Sequence, residues 1–171
     1  IRRDGLILTN AHVIINENKG RPFNELRVYL KPERVSGNLK EDTSLRYKAD
    51  LIEYSENLDL ALLKIKPQAI SKRSTTLQFS DSDLVSIGDP VLAIGHPEQG
   101  GLWTLTTGTI SSHISNYRKI QGKNVFQTET NFNRGNSGGP LINARGDVVG
   151  VNSMIARKAT RLGLLVQQTN T

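Results

Sequence analysis

The chain has no cysteine, one methionine and one tryptophan among its 171 residues. Missing thiols exclude disulfides, zinc–thiolate centres and a cysteine nucleophile, but leave the compartment open. Aromatic residues make up only 5% of the sequence. None is interleaved with the basic groups "IRR", "KPER", "SKR" and "IARKATR", so the net charge of +6 reads as a solvated basic surface and no nucleic-acid partner is expected. No apolar run approaches the roughly 20 residues that cross a bilayer, and the first residues do not have the pattern of a signal peptide. Targeting information is therefore expected to be absent or removed. The three histidines include no pair at the short spacing of a zinc site, so no metal is expected. No segment keeps apolar residues at a period of about 3.6 for a dozen positions, which excludes a long amphipathic helix.

What remains is a chain that can bury a core, with 36% apolar and 22% charged residues. Short segments rich in apolar or β-branched residues run its length: "LILTNAHVI", "LRVYLK", "YKADLIEY", "LALLKI", "PVLAIG", "LWTLTTGTIS", "NVFQTET", "PLIN", "DVVGVNSMI" and "LGLLVQQ". Gly, Pro, Asn and Asp separate them, the signature of an antiparallel all-β sandwich or barrel. Asn16–Asn24 and Pro32–Arg46 read as exposed polar loops. Pro67–Ser86 is poor in apolar residues and is the candidate seam between two halves.

The stretch "NFNRGNSGGPL", Asn131–Leu141, sets Ser137 among glycines. A serine hydroxyl is a poor nucleophile at neutral pH, so a catalytic serine needs a base to take its proton and a carboxylate to orient that base. Of the histidines, His96 precedes a proline in a turn and His113 alternates with isoleucines as a strand-surface residue would. His12, in "LTNAHVI", follows an apolar segment and could project from a strand end. Asp59 opens the apolar run "DLALLKI" between Leu58 and Leu60. A carboxylate there is expected to be partly buried, and so to require a hydrogen-bonding partner such as His12. Taken singly, each residue also reads as structural: Asp59 capping a strand, His12 in the core, Ser137 in a turn.

Together, "TNAHV", "DLALL" and "GNSGGPL" occur in the order His, Asp, Ser. With "DSDLVSIGDPVLAIGHP", "LTTGTISS", "FQTET" and "GDVVGVNS", they make nearly the whole chain resemble the chymotrypsin-fold serine proteases, most closely the HtrA/Deg type. The resemblance implies two antiparallel six-stranded Greek-key β-barrels with the active site in the cleft between them, the opening strand being shortened. The barrels would cover about residues 1–70 and 87–171, joined by a linker at about 71–86. It further implies a serine endopeptidase acting on extended or unfolded polypeptides without a cofactor. In it His12 is the general base, Asp59 orients it and Ser137 attacks the scissile carbonyl. The oxyanion hole falls to Gly135, Asn136 and Ser137, with the N–H groups of Gly135 and Ser137 as donors. Gly138 and Gly139 would let the next strand pass close behind. Relatives carry PDZ domains and form trimers; neither segment is expected within these 171 residues, and a homo-oligomer is the expectation from the family resemblance. An extracytoplasmic location, periplasmic or secreted, is the family expectation.

Several residues depart from the wider pattern. Digestive-type relatives activate when a new N-terminal isoleucine pairs with an Asp just before the serine; here that position is Asn136, so activation at Ile1 is not expected. Arg134 matches an arginine that HtrA-type relatives use to control the serine loop. The specificity pocket would be lined by Thr130, Asn131 and Phe132 and by Val149, Gly150, Val151 and Asn152. No Asp or Glu lies in Thr130–Asn133, which implies an apolar pocket for small or aliphatic side chains. The backbone of Val149–Asn152 is expected to offer an edge to an extended substrate. The main alternative to an enzyme is a catalytically silent, peptide-binding relative; within the enzymes it is a viral or secreted protease of the same fold.

Overall fold

Alternation at a period of two is the local rule that builds this molecule. In the computed structural model, which describes residues 1–66, 76–96, 101–130, 135–156 and 163–168, Ala61, Leu63 and Ile65 are buried while their neighbours are more exposed. Val91 and Ala93 repeat the pattern further on. Such strands are half-buried, one face on a core and one toward water. The chain divides into two compact units, Ile1–Thr76 with Gly101–Trp103, and Leu77–Gly100 with Thr104–Thr171.

The first unit contains strands β1 (Leu6–Thr9), β2 (Ile15–Asn16), β3 (Arg21–Pro22), β4 (Leu26–Tyr29), β5 (Arg46–Ser55) and β6 (Leu60–Lys64). Four form an antiparallel sheet in the order β1-β6-β5-β4, while β2 and β3 make a separate two-stranded ribbon. Pro22 has no N–H to donate, which suits β3 to a short ribbon. Ile14, Ala49, Ala61, Leu63 and Ile65 form the core, backed by Ile7, Leu26 and Val28.

Two helical turns lie where the sequence reading expects strand and loop. The "AHVI" end of the first apolar segment is α1 (Ala11–Ile14), and α2 (Leu39–Asp42) sits inside the long polar stretch. Each is only four residues long, too short to display a helical period. The second is tied down by Asp42, a buried residue in an otherwise exposed stretch. Its carboxylate accepts from Ser36 N at 2.8 Å, Ser36 Oγ at 3.1 Å and Gly37 N at 3.0 Å. These donors, the Ser36 amide foremost, hold its pKa below the ordinary value.

The second unit is a closed six-stranded barrel of β7 (Pro90–Gly95), β8 (Thr104–Ile114), β9 (Val125–Thr128), β10 (Pro140–Asn143), β11 (Val148–Ala156) and β12 (Gly163–Gln168). The chain runs β7-β8-β9, then β12 returns to lie beside β9 and β10 closes onto β7, a Greek-key path. Val91, Ala93, Ile110, Phe126, Leu141 and Val149 fill the barrel, with Val85 beside them. His113 lies exposed on β8, its ring edge-on to Phe126 with centroids 4.8 Å apart. The molecule is therefore all-β, as expected; in the second unit closure is complete, and in the first the strands form a sheet and a ribbon.

Candidate active site

His12 is carried by α1, immediately after β1, rather than by a strand end. Asn10 occupies the N-cap position with extended angles of φ −85° and ψ 150°, yet its side chain makes no capping bond. The amide of His12, second in the helix, donates instead to Asp59 Oδ1 at 3.0 Å. A side chain from elsewhere in the chain thus satisfies a donor that a helix start leaves open.

Asp59 ends the turn that joins β5 to β6, with its own N–H donating to Glu56 O at 3.2 Å. Its φ of +58° lies in the left-handed region, which Asp tolerates better than most residues with a Cβ. The carboxylate meets His12 Nδ1 through both oxygens, at 3.0 Å for Oδ1 and 2.9 Å for Oδ2. Side-chain exposure is 12% for Asp59 and 45% for His12, so the acid is withdrawn from water while the ring keeps an open face. A carboxylate only accepts, so Nδ1 is the donor in this contact, which in the neutral ring leaves the basic lone pair on Nε2. Asn10, fully buried, donates from Nδ2 to the main-chain carbonyl of Asp59 at 2.9 Å. Sequence reasoning missed Asn10: as a residue before a helical turn it looks like a cap, and its partner lies 49 residues away.

Ser137 belongs to the second unit, in a loop shaped by backbone contacts. Gly135 and Gly138 have φ of +103° and +80°, values that glycine adopts without steric cost. A turn closes from Gly139 N to Asn136 O at 3.0 Å. Two bonds join the loop to β11, Gly138 N to Asn152 O at 2.8 Å and Asn152 N to Gly139 O at 2.9 Å. Asn152 Nδ2 adds a third, to Pro140 O at 3.2 Å. His96 N donates to Gly135 O at 2.9 Å. Asn136 is buried, and a Cβ on Gly95 would fall on its side chain. Ser137 Oγ donates to Ser153 O at 3.4 Å. Ser153 is a second residue absent from the expected site; it lies where the β11–β12 register shifts between Asn152 and Met154.

The expected pocket fares unevenly. Asn131, Phe132 and Arg134 lie outside the described residues. Thr130 is buried, its hydroxyl 2.7 Å from that of Thr128. Val149 points into the barrel core. The backbone of Gly150–Asn152 is not a free edge: Gly150 and Val151 pair with β10, and Gly150, Val151 and Asn152 pair with β12. Closure of the barrel occupies both sides of the strand, which overturns that expectation.

A family profile described as trypsin-like peptidase domain matches residues 1–151. The chain belongs to this family. The trypsin-like peptidase domain is also similar to named proteases, several of them of the HtrA type. It is 39% identical to the magnetosome formation protease MamE of Magnetospirillum gryphiswaldense, over 91% of this chain and 18% of that protein. It is 35% identical to the serine protease HTRA1 of Xenopus laevis, over 90% of this chain and 30% of that one. Among solved structures, the HtrA-type protease AlgW with a decapeptide superposes with a TM-score of 0.72 and 30% identity, covering 98% of this chain and 46% of that one. The trypsin-like peptidase domain thus spans less than a third of the length of these curated relatives.

Proposed function

We propose that this chain is the protease domain of a serine endopeptidase, with His12, Asp59 and Ser137 as its triad. The observation that carries the reading is the buried Asp59 carboxylate held against His12 Nδ1 by both oxygens, at 2.9 and 3.0 Å. That contact keeps the imidazole in the tautomer whose Nε2 can take a proton, and stabilises the imidazolium once it forms. In the proposed reaction Ser137 Oγ loses its proton to His12 Nε2 as it bonds to the scissile carbonyl carbon. The carbonyl oxygen becomes an oxyanion, received by the N–H groups of Gly135 and Ser137 on either side of Asn136. His12 then passes the proton to the departing amine, leaving an acyl-enzyme that water opens by the same route. Loss of one oxyanion donor in sites of this kind costs about 2.7–4 kcal/mol.

The substrate is a polypeptide in extended form. Cleavage after small or aliphatic residues is the finer reading, supported by the lack of any acidic residue in Thr130–Asn133. Relatives include proteins named periplasmic, such as DegQ of Escherichia coli, 33% identical over 84% of this chain, which supports an extracytoplasmic setting. Arg134 is proposed to set the shape of the serine loop, on the family resemblance alone. A fluorophosphonate probe tests the triad: covalent labelling of Ser137 in the folded protein, lost in His12→Ala, is expected. Folded protein that stays unlabelled would instead be the silent peptide-binding relative.

A further inference from the structure

Asp59 holds His12 with its own backbone in the left-handed region at φ +58°. Few residues with a Cβ remain there without outside support. The support comes from the start of α1 and the Asn10 position that precedes it. Asn10 donates its side-chain amide to the Asp59 carbonyl at 2.9 Å, and Asp59 accepts the His12 amide through its side chain at 3.0 Å. The two bonds cross: one side chain grips the other segment's backbone in each direction. Together with the imidazole contact they bind the His12 turn to the Asp59 turn at three points.

We propose that Asn10 is a positioning residue for the Asp59–His12 pair, acting through the Asp59 main-chain carbonyl. Its side chain is fully buried, and its Oδ1 has no hydrogen-bond partner. A stranded buried oxygen is destabilising, and a leucine would fill similar space without one. The amide donor is therefore what asparagine adds at this place. It reaches the carbonyl on the peptide that follows Asp59, and so restrains the rotation that would swing the carboxylate away from Nδ1. An aspartate here would set a second acceptor against that carbonyl, close to an existing carboxylate.

The inference rests on the peptidase reading, and the experiment separates the two. Asn10→Leu is placed in the unsubstituted chain and in Asp59→Asn, and fluorophosphonate labelling rates are compared as a double-mutant cycle. In the unsubstituted chain Asn10→Leu should slow labelling by up to about tenfold, the upper scale of one lost neutral hydrogen bond, and raise KM for a peptide much less than it lowers kcat. In Asp59→Asn, where the group to be positioned is gone, the same change should have little effect. Proton NMR supplies a readout that needs no activity: the low-field Nδ1–H resonance of His12 should shift or broaden in Asn10→Leu. An equal fold-loss in both backgrounds, or an unchanged resonance, would overturn the inference. So would failure of both Asn10→Leu and the smaller Asn10→Ser to fold, since Asn10 would then be structural. An unsubstituted chain that is never labelled sinks the peptidase reading, while a shifted resonance still supports the hold of Asn10 on Asp59.

Discussion

The two units hold their candidate reactive groups by opposite means. Around His12 the hold comes from side chains: the Asp59 carboxylate takes the His12 amide and ring, and the Asn10 amide takes the Asp59 carbonyl. Around Ser137 it is mostly backbone: Gly138, Gly139 and Asn152 exchange main-chain bonds, and His96 N grips Gly135 O. The first arrangement is vulnerable to changing a functional group, the second to adding a single carbon. Each nonetheless uses one fully buried asparagine whose Nδ2 donates to a main-chain carbonyl and whose Oδ1 has no partner, Asn10 in one unit and Asn152 in the other. An asparagine donor thus anchors a turn that the local sequence alone would leave free to move.

The largest break in this comparison should come from Asp59→Asn. The substitution keeps the shape but presents an NH2 group as well as an oxygen, which favours the wrong imidazole tautomer. A fall in kcat of about 10⁴-fold is expected, with circular dichroism unchanged. A loss below about tenfold would mean that side-chain chemistry does not govern the first unit.

Gly139→Ala tests the other half. A Cβ there would land on the main-chain oxygen of Ile94, which cannot swing aside as a flexible side chain could. Destabilisation of about 1–3 kcal/mol is expected from overpacking, together with slower labelling of Ser137. Gly146→Ala is a useful contrast, because its Cβ meets open space and only the φ of +89° is strained. Urea unfolding of the two variants separates collision from strain.

The smallest effect concerns pH. His96 is exposed overall, yet the protein packed around it removes enough water to lower its imidazole from the ordinary 6.5. The unfolded chain therefore takes up this proton first as pH falls. The contribution of His96 to stability is complete above about pH 6.5 and declines as pH drops toward its folded pKa. A plot of the urea midpoint against pH should slope downward on acidification, and His96→Gln should flatten that part of the slope. An unchanged slope would show that neutral His96 does not help to hold the serine loop.

Much of the fold was legible because strands announce themselves locally. Alternation marks Ala61 and Leu63 or Val91 and Ala93 within a few residues, and Gly, Pro and Asn mark the breaks. The candidate residues His12, Asp59 and Ser137 were legible through short motifs in a fixed order. The helical turn under His12 was not, since four residues carry no period. Nor was the double pairing of Gly150–Asn152, because nothing within "DVVGVNSMI" states that β10 and β12 will flank it.

By itself, then, the sequence determined most of the segments that become strands, though not the α1 and α2 turns or the β2–β3 ribbon at the expected loop Asn16–Asn24, and which histidine, aspartate and serine are the candidates for chemistry. Those are properties of neighbouring residues: side-chain alternation, backbone freedom at glycine, and motif order. Tertiary structure alone decided that Asp59 would replace Asn10 as the cap of α1, that Asn10 would turn to the Asp59 carbonyl, and that barrel closure would occupy both sides of β11. Each depends on bonding between groups tens of residues apart, and whether a buried donor finds its acceptor is settled only when the strands between them have packed.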